Sequence, residues 1–112
     1  MKNEKKAAKI FKRAVELGSV EAMTDLAHMY DKGIGVKVDS NKGSQLYRMA
    51  ADRGCPVAQF NLGSRAGKAG HYDEAQRWLA LAASGGNEAA KAKLVQLDQI
   101  TRDAGFDSRW RV

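Results

Sequence analysis

A glycine, an alanine and a leucine recur three times along the chain in the same order and at the same spacing. The first set is Gly18, Ala22 and Leu26; the second follows after 36 residues and the third after a further 32. The residues ahead of each glycine align in the same register, as Ala14-Val15, Ala50-Ala51 and Ala82-Ala83. Self-similarity at a period of roughly 20–50 residues is typical of repeat arrays, in which each unit buries its apolar face against the next. We therefore expect a solenoid.

Each period divides into two helical segments. Ala22, Leu26 and Tyr30 recur at i, i+4 and i+8, which places them on one face of an α-helix. The segment 33–36, Gly-Ile-Gly-Val, interrupts this pattern, because glycine readily adopts the positive φ that ends a helix. Extending the register over the whole chain predicts six helices, at about 4–17, 20–32, 40–53, 56–68, 72–84 and 88–102.

Residues that favour helix starts stand at the expected places. Ser19, Asp39 and Asn87 each precede a predicted helix, where a side-chain oxygen can accept a hydrogen bond from the first turn. Pro56 falls in a first turn, where its missing N–H has no helical partner to lose. The predicted fold class is all-α, a right-handed superhelical solenoid of helical hairpins.

The string from Ala22 to Ala58, with its Gly-x-Gly-Val-x-x-Asp element at 33–39, resembles the Sel-one-like repeat. That family is a longer-looped relative of the tetratricopeptide repeat, and the resemblance covers roughly residues 3–97. Two residues depart from the family pattern: Gly43 replaces the usual alanine, and Ala66 replaces the usual tyrosine. The resemblance implies a scaffold or adaptor module that binds a protein or a peptide.

The register divides a repeat domain over 1–102 into a half unit at 3–18, units at 19–54 and 55–86, and a capping helix at 87–102. The first helix of the opening unit is absent by this count. Either Ile10 or Phe11, which are adjacent, is therefore expected to remain at an apolar edge. The sequence predicts a homodimer through this edge, or a longer array from which the chain was cut.

Residues 103–112 follow the last predicted helix as a C-terminal tail. The tail contains Phe106 and Trp110, two aromatic residues that a fully solvated tail does not require. We hypothesise that one of them packs on the final helix or in a neighbour's groove; a frayed terminus is the alternative.

In tetratricopeptide-like folds the first helix of each pair lines the concave side, so equivalent residues form columns across it. The candidate partner-binding groove consists of eight such residues: Thr24, His28, Asp31, Lys32, Phe60, Ser64, Lys68 and Gln96. Phe60 either faces solvent as an aromatic anchor or turns inward against the neighbouring helix. The lysine–asparagine clamp for a peptide carboxylate, known in some relatives, does not carry over, because Thr24 and His28 occupy its leading positions.

Most of the net charge of +6 lies in residues 1–18, which hold six basic and two acidic side chains. The basic residues follow the spacing of one helix face, opposite Ala7, Ile10, Phe11 and Ala14. Such a helix can approach nucleic acid or an anionic membrane surface, which is the alternative function. A solvated outer face of a solenoid has the same pattern, and no aromatic residues alternate with the lysines to stack on bases. We therefore regard nucleic acid and membrane as the weaker prediction.

The residue types that catalysis requires do not converge in this sequence. His28 has no second histidine at i+4, Cys55 has no histidine partner by spacing, and 33–35 lacks the Gly-Lys-Ser/Thr of a phosphate loop. We expect no enzyme activity, no metal site and no cofactor. The single cysteine, together with the lack of a long apolar run, predicts a cytoplasmic protein.

Overall fold

The computed structural model describes residues 2–103 of the chain. Six helices occupy this range: α1 (Lys2–Glu16), α2 (Val20–Lys32), α3 (Ser40–Asp52), α4 (Pro56–Lys68), α5 (Tyr72–Ser84) and α6 (Glu88–Asp103). The described range contains no strand, and each helix boundary lies within two residues of its predicted position. The all-α prediction and the six predicted helices are confirmed. The hypothesis about Phe106 and Trp110 lies outside the described residues.

Successive helices pack against each other in chain order, which produces an elongated body of 51 × 23 × 22 Å. The closest packing joins α2 to α3 and α4 to α5, so these pairs are the two complete hairpins. α1 and α6 flank them, and α6 also contacts α4 directly. None of the helices within 2–103 combines the length and the apolar character that crossing a membrane requires.

Three of the helices begin at the side chains that the sequence indicates. Ser19, Asp39 and Asn87 each accept a hydrogen bond from the backbone N–H three residues later, at 3.2, 3.1 and 2.9 Å. Pro56 occupies the first turn of α4. A side-chain cap of this kind typically stabilises a helix by about 1 kcal/mol, so the helix starts are set locally.

Three apolar clusters follow one another along the solenoid. The first surrounds Met23 and Tyr47 among α2, α3 and α4, and the second surrounds Leu79 and Leu97 among α4, α5 and α6. The third surrounds Met29, where α1 and the following loop pack on α2. Fully buried alanines let the helices approach closely; they are Ala27, Ala50, Ala58, Ala75, Ala82 and Ala90.

The loop between α2 and α3 depends on two glycines. Gly33 and Gly35 adopt φ values of 70° and 72°, which confirms the predicted left-handed conformation at both positions. Gly35 also crosses the backbone of α1 so closely that a Cβ atom there would collide with the carbonyl group of Glu4. This close approach ties α1 to the loop of the next unit.

Candidate partner-binding groove

A pocket of about 200 Å³ opens between α4 and α6, over the first half of α5. Three residues of the predicted groove line it, namely Ser64, Lys68 and Gln96. Its floor is apolar and consists of side chains of the second cluster, among them Leu79 and Leu97. The structure thus brings together three of the four predicted groove residues that belong to the second and third repeats, without Phe60.

Gly67 lines the pocket and adds no side chain to it. A Cβ atom added at Gly67 would make only an ordinary contact of 3.8 Å with the Cβ of Ala75. One repeat earlier, the position of Gly67 is held by Asp31 and the position of Leu97 by Arg65. Those two side chains join each other across the space between α2 and α4. The two repeats therefore differ at the gap between adjacent first helices. A bonded aspartate–arginine pair fills this gap between α2 and α4, whereas a glycine and a leucine hold the same positions between α4 and α6.

The ion pair between Asp31 and Arg65 links α2 to α4. Arg65 also donates from Nη1 to the Ser44 hydroxyl at 2.6 Å, and its guanidinium lies 5.1 Å from the centroid of the Tyr47 ring. Gly43 makes room for this arrangement, because a Cβ atom at that position would collide with the Asp31 carboxylate. Asp31, predicted as a groove residue, is therefore engaged in an internal polar network.

The same network affects the Tyr47 hydroxyl. Burial raises the pKa of Tyr47 above its ordinary value of 10.0, the Asp31 carboxylate raises this pKa further, and the Arg65 guanidinium partly opposes them. A raised pKa in the folded state favours the neutral hydroxyl. The resulting stabilisation is complete below pH 10.0 and is lost as the pH rises through the raised pKa of Tyr47.

Two buried polar atoms within residues 2–103 have no hydrogen-bond partner: Asp31 Oδ1 and Ser64 Oγ. Because an unpaired buried polar atom is unfavourable, such an atom beside a cavity is often satisfied by a ligand or a water molecule. Asp31 Oδ1 belongs to the closed network between α2 and α4. Ser64, by contrast, belongs to the lining of the open pocket.

The remaining predicted groove residues lie away from the pocket. The Thr24 hydroxyl donates to the carbonyl oxygen of Glu21 within its own helix, at 2.8 Å. His28 and Lys32 are exposed on α2. Phe60 is half-buried against the second apolar cluster, which corresponds to the inward alternative.

Eight of the eleven residues that line the pocket are not among the predicted groove residues, and Gly67, Tyr72 and Lys93 are three of them. A signal was present for Gly67, since glycine inside a helical pattern usually has a packing or functional reason. Lys93 lies three residues before Gln96, on the same face of α6. Tyr72 is the first residue of α5. This helix is the second of its hairpin, whereas the predicted groove consists of residues on first helices.

The predicted self-association edge is only partly exposed. Ile10 is 67% exposed, whereas Phe11 is half-buried against the third apolar cluster. Ile10 stands in the register of Leu46 and Trp78, which pack against the first apolar cluster. No group of three or more metal-ligating side chains is present within the described range.

The sequence profile of the Sel1 repeat matches residues 1–19, 20–55 and 56–87. Two solved structures share the fold at 30% identity. A Sel1 repeat protein from Oxalobacter formigenes superposes with a TM-score of 0.83, over 93% of this chain and 43% of that protein. A protective antigen of uropathogenic Escherichia coli strains, which displays an SLR fold, superposes with a TM-score of 0.68. The superposition covers 74% of this chain and 19% of that protein.

Two curated proteins are similar in sequence. The chitin synthase regulator SKT5 of Saccharomyces cerevisiae is 29% identical over 111 residues, which are 92% of this chain and 16% of that protein. A sel1-like repeat-containing protein of Acanthamoeba polyphaga mimivirus is 35% identical over 54 residues, 48% of this chain and 10% of that protein. The chain thus spans a sixth or less of these relatives' length.

Sel1 repeats generally mediate protein–protein interactions, on a scaffold fold that is not itself catalytic. The profile matches extend over most of this chain. The chain belongs to the Sel1 repeat family.

Proposed function

We propose that this chain is a protein- or peptide-binding adaptor, and that its concave groove holds the partner at the α4–α6 pocket. The observation that carries the proposal is the pocket itself, which has an apolar floor and the unpartnered Ser64 hydroxyl in its lining. Ligand sites typically combine apolar walls with a few placed polar groups. An apolar cavity of about 150 Å³ can hold benzene, so the 200 Å³ here is sufficient for one large side chain.

The similarity to a chitin synthase regulator is consistent with this role. A regulator acts through another protein, and this chain aligns with that relative over 92% of its own residues. We extend to this chain only the general role of binding a protein.

Filling the pocket should abolish partner binding without weakening the fold. In Gly67→Leu, the new side chain would extend into the pocket, because a Cβ atom there meets only Ala75 at 3.8 Å. Leucine also favours helix over glycine by about 0.5–1 kcal/mol, so we expect an unchanged or higher melting temperature. Peptides that the wild-type chain selects from a random phage-displayed library should bind Gly67→Leu at least tenfold more weakly.

Gln45→Leu is the matched control, since it adds the same side chain to an exposed position of α3 outside the pocket. It should bind the selected peptides as the wild type does. Selected peptides that bind Gly67→Leu undiminished would contradict the proposed site, and so would a library from which no peptide is enriched.

We further propose that the edge at Ile10 supports a homodimer, or docking within a longer array. Burying an exposed isoleucine contributes roughly 1.5–3 kcal/mol, enough for association at high concentration. Sedimentation velocity at several hundred micromolar should show reversible association of the wild type and a monomer for Ile10→Ser. Val57→Ser, at an exposed apolar position of α4, should associate like the wild type. A wild type that stays strictly monomeric would refute the dimer.

The second candidate is association with nucleic acid or an anionic membrane surface. Lys12, Lys37 and Lys42 line an open pocket of about 360 Å³ between α1 and the α2–α3 loop, together with one acidic residue, Asp39, and this excess of positive charge favours an anionic ligand there. Lys42 lies over the Tyr30 ring, 5.4 Å from its centroid. Salt separates the two candidates, because binding to phosphates weakens steeply with salt whereas an apolar groove is little affected.

A further inference from the structure

The rim of the α4–α6 pocket carries positive charge from two helices. Lys68 is the last residue of α4, and Lys93 lies in the second turn of α6; both side chains are exposed. No aspartate or glutamate is among the described residues that line the pocket. Neither lysine forms an ion pair with a carboxylate within residues 2–103. The pocket therefore has an apolar floor beneath two cations that are available to a ligand.

The polar groups around the floor suit a peptide backbone. The Ser64 hydroxyl, buried and without a partner, can donate to a carbonyl oxygen or accept from an N–H group. Gln96, on the other side of the pocket, can do both as well. A peptide whose apolar side chain enters the pocket would place its backbone N–H and carbonyl groups beside Ser64 and Gln96.

Charge complementarity separates the possible occupants. The C-terminal segment 104–112 contains Phe106 and Trp110, but its single aspartate is outnumbered by two arginines. A second copy of the chain carries a net charge of +6, so it does not complement the lysine rim of the pocket. An acidic segment of another protein matches both the lysine rim and the charge of the whole chain.

We propose that the α4–α6 pocket binds an acidic peptide segment, with an apolar side chain in the pocket and neighbouring carboxylates on Lys68 and Lys93. This inference rests on the proposed function and specifies the class of partner. Lysine–carboxylate pairs at an exposed rim are weak individually, so the apolar anchor supplies most of the affinity and the charges supply selectivity.

Fluorescence anisotropy with the full chain and labelled nine-residue peptides tests the proposal. The reference peptide has a central leucine flanked by two aspartates on each side. Replacing its leucine by serine should weaken binding about tenfold or more, because the buried apolar surface is lost. Replacing the four aspartates by asparagines should weaken binding about fivefold at low salt, and this difference should shrink as salt is added.

The double variant Lys68→Gln/Lys93→Gln separates charge from packing. It should bind the acidic peptide about fivefold more weakly, yet bind the asparagine peptide as the wild type does. Lys91→Gln is the matched control, because Lys91 is exposed on α6 like Lys93 but lies outside the pocket. It should leave the affinity for both peptides unchanged.

Each other outcome has a definite meaning. Equal affinity for the aspartate and asparagine peptides in wild type and double variant would overturn the acidic class and leave the groove function intact. Binding of neither peptide at millimolar concentration would reject both the anchoring pocket and the inference. Tenfold tighter binding by Phe106→Ser/Trp110→Ser would identify the chain's own C-terminal segment as the occupant, which also overturns the inference.

Discussion

Replacing Gly35 by valine should lower the free energy of unfolding by about 3 kcal/mol or more. Two effects add at this position. A residue with a Cβ atom is disfavoured by about 1–2 kcal/mol at the observed φ of 72°. The same atom would collide with the carbonyl group of Glu4, which belongs to the backbone of α1 and cannot move by changing a rotamer. Overpacking of this kind typically costs about 1–3 kcal/mol.

Thermal unfolding followed by circular dichroism measures this effect, and a melting temperature lower by at least about 12 °C is expected. Gly18→Val is the control: Gly18 has a φ of 90°, but a Cβ atom there would meet nothing within 4 Å. Gly18→Val should therefore show the backbone effect alone. Hydrogen exchange in the first turns of α1, around Glu4, should accelerate in Gly35→Val only, because Gly18 follows the opposite end of this helix. Equal losses of stability in the two variants would show that the contact with α1 is unimportant.

Arg65→Leu should destabilise the protein by about 2 kcal/mol, although leucine is the more apolar side chain. The substitution leaves Asp31 without its cation while its side chain is only 18% exposed. Losing one partner of a fully buried ion pair costs about 3–5 kcal/mol. We expect less here because the Arg65 side chain is 33% exposed and water can enter. Urea unfolding of the single variant measures the loss.

A double-mutant cycle identifies the cause. Asp31→Ala/Arg65→Leu removes both charges and approaches the glycine–leucine pair that Gly67 and Leu97 form one repeat later. It should recover most of the stability lost in Arg65→Leu, with a coupling energy of at least about 1 kcal/mol. The exposed pair of Arg13 and Glu16, 73% and 65% exposed, is the control and should couple by less than about 0.5 kcal/mol. Strictly additive effects of the Asp31 and Arg65 substitutions would contradict an energetic role for the ion pair.

The helices and their ends could be predicted from the sequence because the information they need is local. The period of the Gly, Ala and Leu positions specifies the helix faces, and short polar side chains such as Asp39 mark the helix starts. The positive φ at Gly33 and Gly35 was also predictable, since a chain that must leave one helix and enter the next favours glycine there. The second reason for Gly35, its contact with Glu4, required the position of α1.

The side chains of the groove could be predicted only in part. Repeat register places Ser64, Lys68 and Gln96 on one side of the solenoid, and they line one pocket. Register does not reveal which side chains bond to each other. Arg65 shares a register position with the buried Met29 and Leu97, so the pattern alone indicates an apolar residue there.

Two features on which the proposals and predictions depend, the ion pair and the pocket, were decided only by the tertiary structure. The ion pair of Arg65 and Asp31 joins residues 34 positions apart, on α4 and α2, and the room for the Asp31 carboxylate depends on the close approach of Gly43 on α3. The pocket lies among three helices with Gly67 in its lining, and Lys93 reaches its rim from the third of them. The sequence by itself determined the repeat, the helices and the loop glycines, because short-range periodicity and backbone preference specify them. Ion pairs and cavities depend on distances between helices, which arise only when the whole array packs.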